Sequence, residues 1–227
     1  TREGRVSADV FWIGLGDIHD DFSMLGRIPD LAAAAGVVVS GDLTIKGGAA
    51  AARRVIAALR DVNPVVMAQI GNMDLAEADA YLTGEGINLH AVGRVTPQGV
   101  GFFGCGWSTP TPFGTPSEAG EDRIAAWLEA AWQTVAHCPN LVLVCHTPPY
   151  GTAADVVGGG VHVGSRAVRE FIERVQPAVC LTGHIHESVA VDAVGRTVIV
   201  NPGALAGGGY ARIEWDGQGL TARLRQI

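Results

Sequence analysis

The chain has 227 residues, of which 48% are hydrophobic and 17% charged. That composition suits a globular protein with one well-filled core and excludes a disordered or fibrous chain. A formal net charge of −7 leaves no broad basic surface, so a nucleic-acid backbone is not an expected partner, although bound cations would reverse the sign locally.

In chain order, VFWIGLG (10–16) reads as a buried strand. Helical spacing follows through Phe22, Leu25, Ile28 and Leu31, with Pro29 bending or restarting it. VVVS (37–40) is the next strand, residues 48–60 read as helix, and PVVMAQIG (64–71) as a third strand. GVGFFGCGW reads as a core strand in preference to an exposed interface. Ile124, Trp127, Leu128, Ala131 and Val135 mark an amphipathic helix. LVLVC (141–145) and AVCLT (178–182) are strands, joined by a helix through Val168, Phe171, Ile172 and Val175. The tail changes character: SVAVDA, RTVIVN, YARIEW and LTARLR read as short strands of antiparallel hairpins. Gly158–Gly160 and Gly207–Gly209 read as flexible loops. Parallel units first and a meander last predict an α/β (α+β) fold, two packed sheets with helices outside, in one domain over residues 1–227.

The cysteines, Cys105, Cys138, Cys145 and Cys180, form no C-x-x-C pair. They read as buried reduced thiols, which suits a cytoplasmic protein. No apolar run approaches the roughly 20 residues of a membrane span, and TREGRVSADVFW carries no signal-like apolar segment. No membrane contact is expected.

The residue after each strand carries the chemistry. Asp17-Ile18-His19 follows the first strand, Gly41-Asp42 the second, and Gly71-Asn72-Met73-Asp74 the third. His146 follows LVLVC, and Gly183-His184-Ile185-His186 follows AVCLT. Carboxyl ends of strands in an open α/β sheet line one crevice. Any one of Asp17, Asp42 and Asn72 taken alone is an ordinary turn former. Carboxylates and imidazoles gathered at one point call for an ion to organise them. Oxygen and imidazole donors without thiolate suit manganese, iron, zinc, cobalt or nickel, manganese being favoured. The potential ligands exceed what one ion uses, so two ions about 3.5–4 Å apart sharing one carboxylate are expected.

The ordered set D-x-H, G-D, G-N-x-D, a lone His and G-H-x-H resembles the calcineurin-like metallophosphoesterase superfamily. The resemblance spans residues 17 to 203. With TPTPFGTPSE, HTPPYGT, GHIHES and NPG, it looks like the small prokaryotic branch related to Icc-type phosphodiesterases. It implies two packed mixed sheets flanked by helices, a four-layer sandwich. It implies that Asp17, His19 and His186 hold one metal, that Asn72, His146 and His184 hold the other, and that Asp42 bridges them. A metal-bridging hydroxide would then attack phosphorus, with Asp42, Asn72 and His146 counted among the catalytic residues. The expected activity is a phosphodiesterase acting on a small phosphoester. The alternatives are a phosphomonoesterase, a nucleotide pyrophosphohydrolase, or a scaffold that binds without turnover.

Three motifs depart from the family pattern. Met73 stands where the general-acid histidine is common, and a thioether donates no proton; His162 is a candidate replacement. Asp20 and Asp21 follow His19 in place of Gly-Asn, and Asp20 reads either as orienting His19 or as a helix N-terminal acid. Ala204 stands where Ser is common. Met73, Thr111 and Phe113 are candidate substrate contacts, and the Pro110–Phe113 segment either walls the pocket or packs on a sheet edge. His90 and His137 are expected to be structural.

Overall fold

The computed structural model describes residues 10–227; residues 1–9, on which the reading of the N-terminal stretch chiefly rests, lie outside the described residues. Runs of β-branched and aromatic residues form strands β1 (Val10–Leu15) and β2 (Gly36–Val39). Helix α1 (Ala49–Val62) buries Ala52, Val55, Ile56 and Leu59, a stripe at helical spacing. Strand β3 (Val66–Ala68) is shorter than the expected 64–71. Pro64 offers no N–H to a ladder, and beyond Ala68 the chain turns to build the site. Helix α2 (Ala76–Gly84) and strand β4 (Gly93–Val95) were not foreseen. Helix α2 buries only Ala78 and Leu82, too few apolar positions for a periodic signal.

Strand β5 (Val100–Cys105), helix α3 (Glu121–Val135) and strand β6 (Asn140–Cys145) fall where the sequence places them. A two-residue hairpin, β7 (Val156–Val157) and β8 (Val161–His162), closes over exposed Gly158–Gly160. Helix α4 (Arg166–Val175) starts at Ser165, whose hydroxyl accepts from the Val168 amide at 3.1 Å. Strands β9 (Val179–Leu181), β10 (Ala190–Val194), β11 (Thr197–Asn201), β12 (Gly209–Trp215) and β13 (Leu220–Gln226) complete the chain.

Three expectations are corrected. The helix through Phe22–Leu31 is replaced by two 3₁₀ turns, Leu25–Arg27 and Leu31–Ala33. Pro29 cannot sit inside a helix, and Asp30 takes a left-handed conformation, φ 60°. Leu25, Ile28 and Leu31 are buried all the same, so their spacing reported burial rather than helix. The tail is not one meander. Strands β10 and β11 pair antiparallel, but β11 then joins β9 in parallel, while β12 pairs antiparallel with β1 and β13. Gly208 and Gly209 are buried rather than loose. A Cβ on Gly209 would lie 2.0 Å from the Pro202 carbonyl oxygen, so the backbones touch there.

The order in one sheet is β13-β12-β1-β2-β3 and in the other β10-β11-β9-β6-β5-β4. Within them β1-β2-β3 and β5-β6-β9 run parallel, so their carboxyl ends share one edge of the molecule. Alternation along each strand sorts side chains between layers. Trp12, Val38, Phe102, Val142, Val144 and Leu181 fill the space between the sheets. Ile13, Val37 and Val39 face α1 and α2, while Phe103, Leu143 and Cys145 face α3 and α4. The result is helix, sheet, sheet, helix, and all four cysteines are buried and free. Among the described residues no helix is long and apolar enough to cross a membrane.

The Trp12 and Phe102 rings meet edge to face, 5.2 Å between centroids, and tie one sheet to the other. Truncating Phe102 to Ala should cost about 3–5 kcal/mol, read as a lowered midpoint in urea denaturation. An unchanged midpoint would show that this contact does not hold the sheets together.

Candidate metal centre

The five strand ends named from the sequence meet at one edge of the sandwich. Sheet one supplies Asp17, Asp42 and Asn72 after β1, β2 and β3; sheet two supplies His146 and His184 after β6 and β9. Gln69 crosses between the sheets, its amide donating to the Ser40 carbonyl at 3.0 Å and the Val144 carbonyl at 3.1 Å.

The ligand-bearing turns hold one another. The Asp42 carbonyl accepts from the Ile18 and His19 amides, each at 2.9 Å. The Asp17 carboxylate accepts the His184 amide at 3.0 and 3.1 Å. Asp42 Oδ1 accepts the Met73 amide at 2.8 Å. Such packing requires glycine before the functional residues. A Cβ on Gly71 would stand 2.1 Å from Asp42 Oδ1, one on Gly41 2.5 Å from His146 Nδ1, and one on Gly183 2.7 Å from Asp17 Oδ2. His19, Asp42 and His184 themselves adopt left-handed backbone conformations, φ 51°, 49° and 68°. Non-glycine residues adopt these at a cost and tend to do so at functional sites.

Two groups of donors result. Asp17, His19 and His186 place one ligand atom each within 4.8 Å of the others, and so do Asp17, Asp42 and His146. His19 Nε2 lies 3.1 Å from His186 Nε2 and 3.6 Å from Asp42 Oδ2. His186 Nε2 is 3.6 Å from Asp17 Oδ1. His146 Nε2 is 2.8 Å from Asn72 Oδ1 and 3.4 Å from Asp42 Oδ1. His184 is in neither group; its ring lies 5.2 Å from that of His146, centroid to centroid. All seven sequence candidates are thus neighbours; Asp17 belongs to both groups, and Asp42 lies within reach of both His19 and His146.

The electrostatics fit a cation. Burial works to raise the pKa of Asp17, but the His186 ring 3.6 Å away and the imidazoles of His146 and His19 bring it down to about 2. Burial opposes a charge on His146, yet Asp42, Asp17 and Asp74 outweigh it and raise its pKa to about 9. His184 is lowered to about 4 by burial and by His146. The attraction that favours an imidazolium at His146 would favour a divalent ion more. Oxygen and imidazole donors at these separations suit such an ion.

Two supporting carboxylates went unassigned in the sequence. Asp74, fully buried, accepts from the Leu43, Thr44 and Gly71 amides and the Thr44 hydroxyl at 2.7–3.0 Å. It therefore fixes the Asp42 turn; burial and the Asp42 charge push its pKa up to about 7. Its place in the G-N-M-D run was the available signal. Glu118 accepts from the Thr111 and Thr115 hydroxyls at 2.6 and 2.5 Å. Thr115 in turn accepts the Asn72 amide N–H at 2.9 Å, which leaves Asn72 Oδ1 facing His146. Nothing in the sequence marks that relay.

A cleft of about 910 Å³ opens over these residues, lined by Met73, Phe113 and Thr111 among others. The Pro110–Phe113 segment walls it. Thr111 donates its hydroxyl to Glu118, so it braces the wall. His162 is not among the lining residues: its Nδ1 lies 2.7 Å from buried Asp155, and its ring packs by Tyr150. Asp20 begins no helix, and among the described residues its carboxylate makes no hydrogen bond to the His19 ring; it accepts the Ile45 amide at 3.0 Å. His90 packs between Trp107 and Trp127, and His137 is exposed.

The family description "Metallophosphoesterase, calcineurin superfamily" matches residues 133–222. The uncharacterised protein MJ1162 of Methanocaldococcus jannaschii is 35% identical over 196 residues, 84% of this chain and 86% of its own. The chain belongs to the metallophosphoesterases of the calcineurin superfamily. Protein TT1561 of Thermus thermophilus shares the fold at a TM-score of 0.70, with 18% identity over 95% of this chain and 98% of that one. A putative 5′-nucleotidase from Staphylococcus aureus does so at 0.61, with 12% identity, over 97% of this chain and 54% of that one. The family implies divalent metal ions.

Replacing Gly71 by Ala should lower manganese affinity at least roughly tenfold, the low end for lost ligand support, with the chain still folded. Calorimetric titration reads this; unchanged affinity would mean that the contact between the turns does not shape the centre.

Proposed function

We propose that the protein is a metal-dependent phosphodiesterase acting as one domain, with two ions in this centre. The observation that carries the reading is the convergence of Asp17, His19, Asp42, Asn72, His146, His184 and His186 at the ends of five strands drawn from both sheets. Asp17, His19 and His186 would hold one ion, Asn72, His146 and His184 the other, and Asp42 both. Bound divalent ions supply Lewis acidity, acidifying water toward neutral pH and drawing charge from phosphoryl oxygens.

The chain's own residues supply orientation. Asp74 holds the Asp42 turn through its hydrogen bonds to Leu43 and Thr44. Thr115 keeps the Asn72 oxygen turned inward. Met73 and Phe113 give the cleft an apolar wall for the organic group of an ester. Met73 supplies no proton, which favours substrates whose leaving group departs without one, and diesters over protein phosphates. The thiolate-free donor set accommodates manganese, iron, zinc, cobalt or nickel, and manganese is the ion of first choice. Four free, buried cysteines suit a reducing, cytoplasmic setting.

The manganese-reconstituted protein should hydrolyse bis-p-nitrophenyl phosphate faster than p-nitrophenyl phosphate. Asp42→Asn should reduce the rate by at least roughly a hundredfold, as for loss of a principal electrostatic group. Faster monoester turnover would reassign the activity, and turnover that survives Asp42→Asn would refute the centre.

A further inference from the structure

The chain contains one lysine, Lys46; every other basic side chain apart from histidine is an arginine. That lysine lines the cleft over the metal centre, where no arginine among the described residues does. None of the ion pairs among the described residues involves it.

Its position is built. The Lys46 amide donates to the Met73 carbonyl at 2.9 Å. On either side, the Ile45 amide donates to Asp20 at 3.0 Å and the Gly47 amide to the Thr44 hydroxyl at 3.0 Å. Lys46 itself has φ 54°, a left-handed conformation, although Gly47 and Gly48 follow and would take it without strain. The turn thus places its unfavourable backbone geometry on the residue with a charged side chain. This is the pattern of a functional position.

The cleft needs such a charge. Its other lining groups include the carboxylates of Asp42 and Glu187 and the apolar side chains of Ile45, Met73 and Phe113. Ions held by the ligand set would neutralise the phosphoryl oxygens that face it. Negative charge on the outer side of a bound phosphate would meet apolar surface and Glu187. An ammonium serves as a point-charge partner for phosphate. We propose that Lys46 binds the phosphoryl group of the substrate and supplies the fixed positive charge of the cleft. The inference rests on the phosphoesterase reading of the centre.

A single lysine makes the test direct. The manganese-loaded protein is treated with an acetylating N-hydroxysuccinimide ester, with and without inorganic phosphate, and tryptic cleavage after Lys46 is followed by mass spectrometry. Phosphate should slow acetylation of Lys46 at least roughly tenfold, as expected of a charge-assisted contact. Equal rates overturn the proposal, whether or not the protein turns over any ester, so its failure is separable from failure of the phosphodiesterase reading. In kinetics with bis-p-nitrophenyl phosphate, Lys46→Gln should raise KM by roughly ten- to a hundredfold with kcat little changed, and Lys46→Arg should restore most of the loss. Lys46→Gly accepts the left-handed backbone, so a raised KM there reports the lost ammonium rather than misfolding. A KM equal to wild type in both Lys46→Gln and Lys46→Gly overturns the proposal.

Discussion

Like charges must be held together before any ion arrives, and most of the local structure answers that demand. Asp17, Asp42 and Asp74 are buried at one end of the sandwich. Bare carboxylates there would repel one another in a medium that screens poorly. Each is met instead by backbone amides: His184 for Asp17, Met73 for Asp42, and Leu43, Thr44 and Gly71 for Asp74. Amides can reach that closely only where a Cβ is missing or the backbone bends left-handed. The glycines at 41, 71 and 183 and the positive φ angles at His19, Asp42 and His184 follow from the same electrostatic demand.

The sandwich supplies what local turns cannot. Parallel strands bring carboxyl ends to one edge, but three such ends come from one sheet and four from the other. A centre that draws on both needs the sheets fixed in relative position. The Trp12–Phe102 contact does this in the apolar interior, and Gln69 does it by hydrogen bonds just below the site. A buried amide of this kind is costly unless satisfied, and its two carbonyl partners come from different sheets.

The candidate ligands were legible in the sequence because each sits immediately after a short apolar run, and the run locates the strand end. The double-sheet architecture was legible for a similar reason, since fully apolar strands imply cover on both faces. What was not legible depended on distance in space. Glu118 reaches Asn72 only through Thr115, and no spacing announces a three-residue relay. The Phe22–Leu31 stretch misled because buried residues recur at helical intervals even where Pro29 and a left-handed Asp30 forbid a helix. The tail misled because pairing partners lay at opposite ends of the chain. His162 looked available beside its glycines, yet Asp155 had already engaged it.

That tail has a consequence for the order of assembly. Strand β1, which ends in Asp17, lies between β2 and β12, and Val10 pairs with Trp215. One flank of the first ligand-bearing strand is therefore covered only by residues synthesised near the end of the described chain. Contacts of such long sequence separation are slow to form. During synthesis β1 would present an open edge until β12 emerges, the state in which strands associate with the wrong partner. The hairpin of β12 and β13 contributes no ligand, yet completion of the sheet that carries Asp17, Asp42 and Asn72 waits on it.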